Sequence, residues 1–516
     1  MNLFKKIIII LIITLIVFII KINILNQPFF WDDMGGIITP ALDMFENNFC
    51  LIHPYRNFGH PPFLHICLAL IWKIFGYSIL SSHIFIILVG VVGLYYTFRI
   101  GNDFFNFWVG LGATVLLFFN QLFFAQIGII NDSIPLLTLG IITVYYYLKD
   151  KKLLVFLFAS LLVLTKETGA LLIFAIFIHW FIKNISTLKQ TLKQEAFLTK
   201  LQEKKYPNRV ESIKKIFEET IVLIKKSWFL TGPIIFLLLW FTFHQIKLGW
   251  FLRVDLIYHQ TDFWMNLNKN FIINFYYDFT NNNINKFNFI LLFFIIINIV
   301  KYRIKILKTT SLFFLIIFLY LVLFSFTDDL PRYFTVILPF FYIISSEAVY
   351  SIYKKIKFNN IFFVFTILLC SFIFSLNYQG DRIGPGFKLD SNLEYNDFIY
   401  VSKQATDYIE KKYSNNNIVT YWPMTDQLNE PKFGYISKKI NRITDTTENF
   451  RSYIVPSVDA MEEFNPNSIL ITDDTIFYYT FPPNNFFVKI IENKNIEIIK
   501  IFKKNNKSSI LFKINK

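Results

Sequence analysis

Cysteine is nearly missing from this chain: 516 residues contain three. Cys370 lies inside an apolar run, so neither a disulfide framework nor a cysteine-based zinc site is implied, although a Cys50–Cys67 bridge stays open. Acidic residues are also scarce, 36 against 51 Lys and Arg, which leaves a net charge of +15. No small-x-small cleavage site follows the apolar N-terminus "MNLFKKIIIILIITLIVFIIKINIL", so the signal-like start reads as an uncleaved first span. The last 140 residues hold no Gly-rich phosphate loop and no metal-ligand spacing, and no chemistry is assigned to them.

What the chain has in excess is apolar surface: 54% hydrophobic and 19% aromatic residues. Soluble domains sit near 45–50% apolar, so the composition favours a polytopic membrane protein. After the first span, apolar runs cover roughly 79–99, 104–124, 134–148, 153–165, 168–183, 228–246, 287–300, 310–326, 333–350 and 358–376, which makes about eleven spans, with 11–13 allowed for merged or missed helices. "PPFLHICLALIWKIFG" (61–76) is too short to cross and reads as an interfacial or re-entrant helix.

A strongly basic chain often binds nucleic acid, but here the lysines cluster between apolar runs. Threading from a cytoplasmic N-terminus puts Arg99, "KDKK" (149–152), the segment 184–227, "KYRIKILK" and "YKKIK" on the cytoplasmic side. That is a topology signal, and no nucleic-acid partner is implied. The 184–227 segment fits an amphipathic helix on anionic lipid or a solvated linker. The opposite face receives Asp32, Asp33, His53, His60, Asp132, Lys166, Glu167, His259, Asp262, Asp328, Asp329 and Arg332. Nearly every side chain near the membrane that is suited to acid–base or phosphate chemistry thus falls on one side.

The expected organisation is a transmembrane domain over 1–376, with a first outer loop at 26–78, the cytoplasmic basic segment 184–227 and an outer loop at 247–286. An extracytoplasmic α/β domain over 377–516 follows. In that domain "EYNDFIYVSKQATDYIEKKY" (394–413) predicts a helix, and "NIVTYW", "SILITDD", "NIEIIKIF" and "SSILFKI" predict strands.

Five outer-face motifs stand in order: "WDDMGG" with Asp32 and Asp33, "GHPPFLHICLALIWKIFG" with His60, "FFAQIGIINDSIPLL" with Asp132, "LVLTKETGALL" with Lys166 and Glu167, and "DDLPRYFTVILP" with Arg332 and Tyr333. This ordered set resembles the polyprenyl-phosphate-dependent GT-C glycosyltransferases, in the branch of the protein O-mannosyltransferases and the lipid A aminoarabinose transferase. The resemblance spans the whole chain, with one departure: the first loop carries Asp-Asp where that family usually has Asp-Glu.

It implies a bacterial inner-membrane enzyme that moves a sugar, with inversion, from a polyprenyl-phosphate donor to a hydroxyl acceptor (protein, glycolipid or polysaccharide). Asp32 and Asp33 are then candidates to take the acceptor proton. His60, Lys166 and Arg332 are candidates to steady the departing phosphate, and Asp132, Glu167 and Tyr333 join them as substrate-binding residues. No cofactor is certain. Some GT-C enzymes use a divalent cation, no carboxylate cluster here demands one, and metal dependence stays open.

Each residue also has a plainer reading. The Asp pair suits a solvated turn, and Asp132 suits a helix cap. Lys166 and Glu167 could pair with each other, while Arg332 could snorkel to the headgroups beside Asp328 or Asp329. His259 fits an ordinary surface histidine. At the level of the chain, a lipid or sugar transporter and an inactive relative acting as a binding protein are the alternatives. Transporters place their ionisable residues near the bilayer midplane, unlike the span ends used here.

Overall fold

The computed structural model describes residues 3–31, 33–51, 60–185, 222, 225–249, 288–302, 308–324, 331–357, 360–375, 390–446, 474–480, 485–493 and 495–514. Most of the 184–227 and 247–286 segments, and with them His259 and Asp262, lie outside the described residues. So do Asp32, His53, Asp328, Asp329, residues 468–473 of the expected strand "SILITDD", and the side chain of Asp33.

Most of the described chain is helical. Among the described residues, four helices are long and apolar enough to cross a membrane by length and composition: Phe4–Ile24, Ile79–Phe104, Trp228–Leu248 and Arg332–Lys355. Shorter apolar helices cover Phe63–Phe75, Phe107–Phe119, Ser133–Leu148, Lys152–Thr165, Gly169–Ile185, Ile290–Val300, Thr310–Leu323 and Asn360–Ser375. With Phe63–Phe75 set aside, these described helices fall on the eleven apolar runs of the sequence, four of them long enough to cross.

Their burial sorts them by position. The Phe4–Ile24 window is only 17% buried and lies at the periphery, whereas Arg332–Lys355 is 83% buried and forms the middle of the array. Helix breaks have local causes. Asn106 accepts a hydrogen bond from the Val109 amide and starts the helix Phe107–Phe119. Asn120 accepts from the amides of Leu122 and Phe123 and restarts the chain as the short helix Gln121–Gln126, dividing the run that the sequence reads as one span. Gly101 and Gly110 let Ile79–Phe104 and Phe107–Phe119 touch, since a Cβ on Gly101 would meet the Gly110 Cα at 2.4 Å. Small residues serve the same purpose at helix contacts in lipid generally.

Among the described residues the C-terminal unit forms a five-stranded sheet with helices packed on it. Its strands are β1 (Asn417–Thr420), β2 (Ile443–Asp445), β3 (Thr475–Thr480), β4 (Ile496–Lys504) and β5 (Lys507–Ile514), in the order β2-β1-β3-β5-β4. β1 pairs in parallel with β2 and β3, and β5 runs antiparallel to β3 and β4. The expected helix is present as Glu394–Lys412, and "NIVTYW", "NIEIIKIF" and "SSILFKI" supply β1, β4 and β5. The central strand β3 is buried at all six residues. It therefore shows none of the alternation that marks a half-exposed strand, and the pattern of the sequence does not reveal it. None of Cys50, Cys67 and Cys370 is in a disulfide, so the Cys50–Cys67 bridge is not formed.

Candidate active site

The site is assembled where helix ends meet the C-terminal unit. Pro61 and Pro62 introduce the helix Phe63–Phe75, and His60 stands just before it. Its Nδ1 lies 3.0 Å from Glu167 Oε2, with both side chains about a quarter exposed. Lys166 ends the helix Lys152–Thr165 in extended conformation and points the other way. Its Nζ lies 3.7 Å from Asp132 Oδ2 and 4.7 Å from the centre of the Tyr333 ring. Lys166 and Glu167 therefore do not pair with each other by contact; each reaches a partner far along the chain.

Asp132 occupies the cap position of the helix Ser133–Leu148, but its side chain makes no capping hydrogen bond. It is spent on Lys166 instead. Arg332 lies in the 3-10 turn Pro331–Ile337, its guanidinium 6.0 Å from the Tyr333 ring. Its Nη1 donates to Asp390 Oδ2 at 3.1 Å, and Asp390 is fully buried. The sequence offers Asp328 and Asp329 as partners, which lie outside the described residues; Asp390, from the start of the C-terminal unit, is a partner the sequence did not offer.

His65 ties the first loop to this group. It hydrogen-bonds the backbone of Gly36 and feels the charges of Asp132 and His60. Burial pushes its pKa down to about 4, which keeps the imidazole neutral. "WDDMGG", "GHPP", "NDSIP", "TKETG" and "PRYF" thus meet in one place. Trp31 and Met34, which bracket the acidic pair in sequence, are buried, at 9% and 0% exposure. Beyond Trp31, whose φ is +25°, the chain coils into a π-helix over Asp33–Ile38.

The electrostatics fix the charges. Burial would raise the Glu167 pKa, but His60 and Lys166 together hold it down to about 2, so it is a carboxylate throughout the physiological range. Burial would lower the Lys166 pKa, and Tyr333, Asp132 and Glu167 outweigh it, so its pKa rises and the ammonium persists. Two cations, Lys166 and Arg332, therefore stand near one phenol, Lys166 paired with the nearly buried Asp132 and Arg332 with the buried Asp390. An anion that enters can take over part of that coordination. Among the described residues, no three His, Cys, Asp or Glu side chains gather as metal ligands. Asp390 and His65 went unrecognised in the sequence: Asp390 sits in ordinary polar surroundings, "KLDSNLEY", and only its complete burial gives it away.

Residues 59–201, which include His60, Asp132, Lys166 and Glu167, match the family described as dolichyl-phosphate-mannose-protein mannosyltransferase. No curated protein matches the chain. Among solved structures, ArnT from Cupriavidus metallidurans bound to undecaprenyl phosphate aligns over 99% of this chain and 98% of its own, at 10% identity and a TM-score of 0.51. The apo state of ArnT aligns over 98% and 97%, at 11% identity and 0.47. Archaeal oligosaccharyltransferase AglB from Archaeoglobus fulgidus, in complex with an inhibitory peptide and a dolichol-phosphate, aligns over 82% of this chain and 63% of its own, at 13% identity and 0.41. By fold over its whole length and by sequence over residues 59–201, the chain is similar to the polyprenyl-phosphate-dependent GT-C glycosyltransferases.

Proposed function

We propose that this protein transfers a sugar from a polyprenyl-phosphate donor to a hydroxyl acceptor at the outer face of a bacterial cell membrane, with inversion at the anomeric carbon. The observation that carries this reading is the pair of cations, Lys166 and Arg332, both beside the ring of Tyr333, at 4.7 Å and 6.0 Å from its centre. Positive charge fixed at a membrane boundary suits a phosphate whose lipid tail stays in the bilayer. Charge-assisted hydrogen bonds there are strong because little water competes for them.

In the reaction the acceptor oxygen attacks the anomeric carbon from the face opposite the phosphate. The bond from that carbon to the phosphate oxygen breaks, and polyprenyl phosphate leaves with its negative charge. Lys166 and Arg332 receive that charge by loosening from Asp132 and Asp390. The acceptor proton passes to a first-loop carboxylate, Asp32 or Asp33. Asp32 is the preferred base, because it stands where the resembling family has the Asp of Asp-Glu. His60 and Glu167 hold the entrance to the interfacial helix beside this group.

The direct test presents purified protein with radiolabelled polyprenyl-phosphate sugars and a cell-envelope fraction. Transfer of label from at least one donor is expected, with free polyprenyl phosphate as co-product. No transfer from any of them would overturn the reading.

A further inference from the structure

The residues that lead into the acidic pair are gripped by the C-terminal unit at almost every step. Gln27 Nε2 donates to Asn396 Oδ1 at 2.8 Å. The Phe29 amide donates to the Phe433 carbonyl at 3.2 Å, and the Tyr435 hydroxyl donates to the Phe29 carbonyl at 3.0 Å. Phe30 packs against Tyr395 and edge-on against Phe398. Trp31 lies 5.1 Å from the Phe398 ring and meets Trp422 edge-to-face at 5.3 Å. Gly434 permits this approach. Its φ is +91°, and a Cβ there would come within 3.3 Å of Pro28 Cα and 2.5 Å of Ile79 Cδ1.

Docking alone would explain a grip, but not the backbone it is applied to. Trp31 has φ +25°, a conformation that bulky residues rarely adopt. Its indole N–H is buried with no hydrogen-bond partner among the described residues. The chain then enters a π-helix, an uncommon form that recurs at functional sites. Irregular backbone of this kind persists only where the surroundings over-determine it. The aromatic surroundings of Trp31 come from Phe398 and Trp422 of the C-terminal unit and from its neighbour Phe30.

We propose that Trp422 and Tyr435 are positioning residues for the acidic turn, so that the C-terminal unit sets where Asp32 and Asp33 stand rather than serving only to receive the acceptor. The inference rests on the reading of the Asp pair as the base. Trp422 fixes the ring of the residue immediately before Asp32, and Tyr435 fixes the backbone two residues earlier. Neither needs to touch the sugar. A shift of the order of 1 Å in a catalytic group is enough to cost about 100-fold in rate.

The test uses full-length Trp422→Ala and Trp422→Phe, with the donor that the wild type turns over fastest among radiolabelled polyprenyl-phosphate sugars. Positioning predicts that Trp422→Ala lowers kcat by about 10- to 100-fold at unchanged donor KM and unchanged melting temperature. Trp422→Phe, which keeps an aromatic edge against Trp31, restores most of it. Amide exchange should quicken over residues 29–38 and stay as in the wild type elsewhere. Full kcat in Trp422→Ala while Asp32→Asn is inactive would overturn the positioning role alone. Retained activity in both Asp32→Asn and Asp33→Asn would remove the base reading and this inference with it. Should Trp422→Ala fail to fold, Tyr435→Phe deletes one hydroxyl and leaves the packing in place. It should lower kcat several-fold at constant KM, and a wild-type kcat there would count against the proposal.

Discussion

Arg332 reaches across 58 residues to place its Nη1 3.1 Å from the Oδ2 of Asp390, a carboxylate with no exposed surface. The pair joins the start of the central buried helix to the first described residues of the C-terminal unit. Gln126 reinforces the junction by donating to the Asp390 backbone carbonyl at 2.8 Å. In the proposed mechanism a guanidinium held this way is aimed before the donor phosphate arrives, and its planar fork suits phosphate oxygens.

For Arg332 the conservative change is the informative one. A phosphate clamp depends on two parallel N–H groups, which lysine does not have. Arg332→Lys should therefore lose much of its turnover, and Arg332→Ala should lose roughly 2–4 kcal/mol of transition-state stabilisation, as for an oxyanion donor. Initial rates at saturating acceptor, with melting temperature as control, decide it. Near-complete rescue by Lys would return Arg332 to a simple interfacial charge.

Lys166 and Asp132 allow stability and catalysis to be separated. Removing one partner of a nearly buried pair typically costs about 3–5 kcal/mol, whereas replacing both with apolar residues of similar volume is often neutral. Asp132→Leu alone should lower the melting temperature sharply. Lys166→Met together with Asp132→Leu should recover most of that loss and still transfer no sugar. A double variant that is both stable and active would show the pair to be scaffolding.

The Glu167–His60 contact makes a pH prediction. The folded-state pKa of Glu167 is held at about 2, below its ordinary 4.5. A depressed carboxylate pKa contributes stability that is complete above the unfolded value and fades as the pH falls through the folded one. The stabilisation should thus be full above about pH 4.5 and disappear toward about pH 2. Melting temperatures of the wild type and Glu167→Gln in detergent should differ near neutrality and converge on acidification. A gap that is constant with pH would contradict the ionic account.

The side of the membrane is open to chemical labelling. Lys439 is exposed on the C-terminal unit. In a Cys50→Ser background, Lys439→Cys should react with a membrane-impermeant maleimide in spheroplasts. Labelling only after permeabilisation would invert the topology derived from the lysine clusters.

The apolar helices were legible because a bilayer demands long apolar runs, and the lysine clusters fall between those runs. The sequence leads only to the expectation that the five motifs share a side; the contacts among them were not legible. Which carboxylate each cation takes was hidden, because Lys166 and Glu167 are adjacent yet face opposite ways: one is extended and the next begins a turn. Asp390 was hidden for a different reason, since its importance comes from burial against a helix far away in sequence. The π-helix after Trp31 has no pattern of its own; "DDMGG" reads as a loop until the aromatic residues around Trp31 are in place.

In the proposed mechanism a first-loop carboxylate takes the acceptor proton while Lys166 and Arg332 hold the donor phosphate. Single-turnover transfer from a radiolabelled polyprenyl-phosphate sugar, compared between wild type, Asp32→Asn and Asp33→Asn at matched stability, tests it most directly. Abolished transfer in Asp32→Asn and strong impairment in Asp33→Asn, with donor binding intact in both, is the predicted result. Near-normal single-turnover rates in both variants would contradict it.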